Sequence, residues 1–171
     1  LGFGHFVYRD RTGRQIAVAK SMKEFEAYLQ LMPEESLAYH AMQNHFSQWL
    51  MARGEVKIAR EINPVKVSGF ATISELREYL IRIVHQRRRE MNAGRVVPFD
   101  ESAVIDETNV VSLTGGSMGG KGRSLAFINT LIYSFDLGRL LPGINIKTPV
   151  TAIIGTDEFD MFMERNHLWD K

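Results

Sequence analysis

The chain has no cysteine. Disulfides, thiolate nucleophiles and cysteine-based metal sites are therefore excluded, and a reducing, cytoplasmic setting is expected. No apolar run approaches the roughly 20 residues that span a bilayer, and no signal-peptide pattern is visible, so no membrane partner is expected. Neither sign of charge is in excess: 21 basic and 20 acidic residues leave a formal net charge of +1, which gives no electrostatic ground for nucleic acid. There is no internal repeat or low-complexity tract, and neither G-x-S-x-G nor H-E-x-x-H occurs, so no catalytic residue is assigned. What remains are 171 residues of globular composition, enough for one ordinary domain or two small ones.

The amino-terminal part reads as a helical module. "HFVYRDRTGRQIAVA" (5–19) predicts two short strands joined by a turn at Asp10–Gly13. Ser21–Glu24 and Thr72–Glu75 each have the form of a capping box, which places helix starts there. Residues 33–54 predict the strongest helix, with Tyr39, Met42, Phe46, Trp49 and Leu50 as its buried stripe. Residues 55–62 predict a short helix, and 72–94 a long one closed by Gly94. His40 and His45 stand five apart, too far round one helix to share a face, and no acid or cysteine is helpfully spaced; no metal site is assigned. "HQRRRE" (85–90) predicts a solvated, basic helix end.

A composition change at "RVVPFDESAVIDETN" (95–109) suggests a boundary. The expected division is a helical module with a hairpin over 1–97, a linker over 98–109 and a second part over 110–171. That second part predicts strand 110–113, a glycine loop, helix 121–135, strand 149–154 and helix 157–166, a β-α-β-α order. Asp157, Glu158 and Asp160 cluster, but the first two suit the first turn of that last helix.

Five glycines and one lysine fall within "SLTGGSMGGKGRS" (112–124). Gly115 to Lys121 fits the start of a P-loop, G-x-x-x-x-G-K, but Gly122 stands where the Mg²⁺-binding Ser or Thr belongs. Two other readings stay open. One is a glycine-rich connector with a surface lysine. The other is a loop whose amides approach a phosphate, with Lys121 as a point charge and the following helix adding its positive end.

"MGGKGRSLAFINTLI" followed by "LPGINIKTPVTAIIGTDEFDMFMERNHL" resembles the opening of the nucleotide-binding domain of phosphoenolpyruvate synthase and pyruvate phosphate dikinase. Gly119, Gly120, Lys121, Leu125 and Ala126 match the family's first element; Pro149, Ile153, Thr156, Phe159, Phe162 and Asn166 match the rest. Where that family has Pro-x-Gly-Phe entering the strand, this chain has "TPVTAIIGT". The resemblance implies an ATP-grasp fold, with Gly119, Gly120, Lys121, Gly122 and Arg123 at ATP phosphate and Mg²⁺ as the co-substrate metal in the parent protein. Residues 5–97 resemble small helical modules of unknown function found in bacterial and archaeal proteins, some related to phosphoenolpyruvate synthases.

The whole is thus expected to be a helix-rich α+β chain. It begins at Leu1 rather than Met and is expected to be the amino-terminal piece of a longer phosphotransferase. Alone it should be inactive, with no tightly bound cofactor. Its expected partners are ATP or phosphate held weakly, the remainder of its own polypeptide and, as an option, a second copy. The rival expectation is a non-enzymatic interaction module whose loop binds nothing.

Overall fold

The computed structural model describes residues 4–100 and 105–169. Its architecture is α+β and helix-rich, with a two-stranded antiparallel hairpin and a three-stranded parallel sheet. The chain divides into two compact units, Leu1–Arg88 and Arg89–Lys171. The division thus falls inside a helix, ahead of the composition change at residue 95.

In the first unit β1 (Phe6–Arg9) pairs with β2 (Gln15–Ala19), with Phe6 opposite Ala19 and a register shift at Tyr8/Arg9. Asp10 closes the turn, its carboxylate accepting from the Thr12 amide, the Thr12 hydroxyl and the Arg14 amide. α1 (Met22–Leu31) and α5 (Ile73–Asn92) start as expected. Ser21 accepts from the Glu24 amide at 3.1 Å, and Thr72 from the Glu75 amide at 3.1 Å. Each glutamate reaches back one residue beyond the cap, to the amides of Lys20 and Ala71. Each box therefore satisfies donors that a helix start leaves orphaned.

The helix expected over 33–54 is in fact two. α2 (Glu34–Met42) and α3 (His45–Ala52) are separated by Asn44, whose φ of 58° is left-handed. Asparagine tolerates that region because its short polar side chain bonds locally; here it donates to Asn63 and accepts from the Ser47 hydroxyl at 2.6 Å. The break resets the helical phase. Phe46 and Leu50 stay buried, Trp49 is half-buried, and Met42 is 70% exposed instead of lying in the stripe. α4 (Val56–Ile62) follows and seats Ile58, Ala59 and Ile62 in the core. That core is one cluster, from Phe6, Tyr8 and Phe25 through Leu37 and Phe46 to Leu76, Leu80 and Val84.

The basic run near the end of α5 is not a merely solvated end. Arg88 pairs with Glu26 at 2.5 Å, both side chains largely buried, and His85 meets the same carboxylate at 2.9 Å. Arg87 pairs with Glu55 at 2.8 Å.

In the second unit β3 (Val96–Pro98), β4 (Val110–Ser112) and β5 (Thr151–Ile153) form a parallel sheet in that order. β3 lies in the stretch whose proline and lack of period suggested the edge of a linker; Pro98 is tolerable at the end of an edge strand. Residues 101–104 of the expected linker lie outside the described residues. α6 (Gly120–Ser134), the short α7 (Leu137–Leu140) and α8 (Thr156–Arg165) complete the unit. The core here is thin: Val110, Val111, Ala126, Ile132 and Ile153 are buried, and among the described residues α8 buries none.

Candidate functional site

The glycine loop runs from the end of β4 to the start of α6, with Gly119 as the N-cap in extended conformation and no side-chain cap. All five residues singled out in sequence therefore gather at one helix start. Gly120, Lys121 and Gly122 supply the first-turn amides, Lys121 and Arg123 are exposed, and the Arg123 amide is already committed to the Gly119 carbonyl at 3.0 Å. A helix start leaves its first amides without intrahelical acceptors, and the aligned peptide dipoles favour an anion there.

The glycines fall into two groups. At some positions the protein's own packing demands the missing Cβ. A side chain at Gly116 would collide with the Asp157 carboxylate and backbone, and one at Gly122 would lie 3.1 Å from the Ile153 side chain. At Gly119 and Gly120 a Cβ would meet nothing within 4 Å, and neither backbone is left-handed. Glycine inside a helix costs roughly 0.5–1 kcal/mol relative to alanine, and no internal contact offsets that cost at Gly120; at Gly119, the N-cap, glycine is itself favoured over alanine.

The first half of the loop is tied to the start of α8, a feature that sequence reasoning missed. The Thr114 hydroxyl donates to Asp157 Oδ1 at 2.8 Å and accepts from the Gly155 amide at 2.6 Å. The Thr156 amide donates to the Ser117 carbonyl at 2.9 Å, and Gly116 packs directly against the Asp157 carboxylate. The Thr114 hydroxyl, with the backbone amides around it, holds the Asp157 carboxyl below its ordinary range. The sequence showed Asp157 only as a first-turn acid; its loop partner is 43 positions away.

The first unit holds a second polar arrangement. Ser36 and His40, one turn apart on α2, bracket the end of β1: the Ser36 hydroxyl donates to the Arg9 carbonyl at 2.8 Å, and His40 Nε2 accepts the Arg9 amide at 2.8 Å. Because Nε2 accepts, the neutral ring carries its proton on Nδ1, which faces His45 Nδ1 at 3.1 Å. The break at Asn44 brings these histidines together, so the five-residue spacing on one helix did not describe them. Burial drives His40 down to about 4, and the neighbouring His45 and Arg9 act in the same direction. Among the described residues no three His, Cys, Asp or Glu side chains gather into a metal-binding group.

Residues 11–85 match a family of unknown function, DUF5752. No curated protein and no solved structure matches the chain. The DUF5752 match spans the histidine pair and most of the first unit but stops at residue 85, so the glycine loop lies wholly outside it. The family description brings no activity to either arrangement.

Proposed function

We propose that residues 110–171 are the leading β-α-β-α part of an ATP-grasp-type domain of a phosphoenolpyruvate synthase- or pyruvate phosphate dikinase-like phosphotransferase. In this reading Gly119–Arg123 is the ATP phosphate loop, and the amino-terminal module is regulatory or serves assembly. The observation that carries it is the open backbone at Gly120: glycine stands in the first helical turn where a Cβ would meet nothing and φ is not left-handed, beside Gly119 as an uncrowded N-cap, an exposed lysine and uncapped helix amides. An approaching phosphate oxygen would explain that choice. The ordered resemblance of Gly119–Lys121, Thr156, Phe159 and Asn166 to that family is the second support.

The fit is to phosphate. ATP, when bound, supplies the transferable phosphoryl group; this chain contributes the amides of Gly120–Gly122 as donors and the Lys121 ammonium as a charge. No residue of the chain is assigned to Mg²⁺. The competing reading, a connector in a non-enzymatic interaction module, draws support from Asp157, which accounts for Gly116 without any ligand.

Titration of the chain with inorganic phosphate and with ATP at low salt, followed by amide NMR, separates the two. The expected result is shifts centred on Gly119–Arg123 that vanish in Lys121→Ala. Gly120→Ala should raise stability by about 0.5–1 kcal/mol, because a Cβ there meets only open space, yet weaken the anion. Absence of shifts at Gly119–Arg123, or shifts indifferent to Lys121→Ala, would leave the loop a connector.

A further inference from the structure

Among the described residues, the Asp157 carboxylate is the acidic group built into the glycine loop, and its contacts there belong to the loop's first half. It accepts the Thr114 hydroxyl at 2.8 Å and packs against Gly116. Thr114 in turn holds the Gly155 amide, and the Thr156 amide holds the Ser117 carbonyl. The start of α8 therefore grips the loop at Thr114, Gly116 and Ser117 and leaves untouched the stretch from Gly119 onward. A Cβ at Gly155 would also crowd the Asp157 carboxylate and the Thr114 hydroxyl, each at 2.7 Å, so glycines on both partner segments are spent on making this grip close.

A run with two glycine pairs is among the costliest stretches of backbone to order. If the protein orders it before any ligand arrives, binding no longer bears that cost. We propose that Asp157 is the positioning residue of the glycine loop: from the first turn of α8 it clasps Thr114–Ser117 and so sets the Gly120–Gly122 amides and Lys121 in place for a phosphate group. The clasp itself stands on geometry alone; the part concerning phosphate rests on the function proposed above. What the clasp needs from residue 157 is an acceptor oxygen, since its loop partner, the Thr114 hydroxyl, is a donor. Its negative charge is not needed for the grip and opposes a phosphate nearby.

Three variants separate shape from charge. Asp157→Ala removes the acceptor, Thr114→Val removes the same bond from the other side, and Asp157→Asn keeps an acceptor oxygen without the charge. The first readout, which needs no ligand, is exchange of the Thr156 amide, which donates to the Ser117 carbonyl across the clasp. Protection should fall on the order of tenfold in Asp157→Ala and Thr114→Val and stay near the parent value in Asp157→Asn. The second is the inorganic phosphate titration. Affinity should fall roughly tenfold in Asp157→Ala and Thr114→Val, and in Asp157→Asn it should equal or exceed that of the parent chain. Unchanged Thr156 protection in both Asp157→Ala and Thr114→Val overturns the clasp. Intact phosphate affinity in those two variants overturns the positioning role. A fall in Asp157→Asn as large as in Asp157→Ala would make the role electrostatic and overturn it as well. If the parent chain binds no phosphate, the phosphate-loop reading and the positioning role fail together, while Thr156 exchange still decides the clasp.

Discussion

Lowering the pH should loosen the first unit through His40 in particular. His40 is almost fully buried, accepts the Arg9 amide on Nε2 and faces His45 through Nδ1. Its folded pKa is depressed to about 4 from 6.5, chiefly by burial. The unfolded chain therefore binds a proton between pH 6.5 and 4 that the folded chain refuses, so stability rises with pH across that window and is lost on acidification. Weighing the two protonation equilibria gives a loss of about 2 kcal/mol between pH 7 and 5 and about 3 kcal/mol by pH 4. Below pH 5 carboxylates such as Asp10 and Asp106, whose folded pKa values are also lowered, begin to add their own loss in the same direction. A comparison variant is needed for that reason. His40→Gln offers an amide oxygen to the Arg9 amide but does not titrate. Urea unfolding followed by Trp49 fluorescence in a Trp169→Phe background reports on this unit, because the chain has two tryptophans. With m near 2 kcal/mol/M, about 2 kcal/mol moves the midpoint by about 1 M. The difference between parent and His40→Gln should shrink steadily from pH 7 to pH 4.5. A constant difference would mean that His40 is not held neutral by its surroundings, and would refute the reasoning.

Two further outcomes follow from the first unit. Phe46→Ala should cost about 3–5 kcal/mol, since the ring is buried against Phe6, Phe25 and His40; Trp49→Ala, whose ring is half-buried and tied by Nε1 to the Gly4 carbonyl, should cost about 2 kcal/mol. Equal costs in denaturant melts would contradict the rim position of Trp49. Glu26→Gln should cost about 3 kcal/mol, because it removes the carboxylate charge from a largely buried pair with Arg88; a loss under 1 kcal/mol would show that water reaches that pair.

Local chemistry made much of this fold readable. The two capping boxes, the Asp10–Gly13 turn and the strand–loop–helix order after residue 110 are all written in neighbouring residues, and each has its element in the structure. The misses share one cause. The break at Asn44 is stabilised by Asn63, the basic run of α5 is neutralised by Glu26 and Glu55, and β3 exists because β4 lies beside it. None of these partners is local, so periodicity carried no trace of them. For the candidate site, sequence located the glycines and lysine but could not divide them. Only the three-dimensional neighbours show that Gly116 has no room for a side chain and that Gly122 is tight against Ile153, while Gly115, Gly119 and Gly120 face open space.

The distance along the chain between Thr114 and Asp157 also governs when the loop can take shape. The hairpin turn in the first unit closes a contact over 4 positions, Arg9 to Gly13, whereas the tie between Thr114 and Asp157 closes one over 43. Loop-closure entropy makes the longer contact about 2 kcal/mol costlier to nucleate, and parallel pairing of β4 with β5 must wait for the intervening helices. The hairpin and short helices of the first unit can therefore form early from nearby residues. The glycine loop acquires its geometry only when β5 and α8 arrive, which makes it among the last parts of its unit to be built and among the first to open.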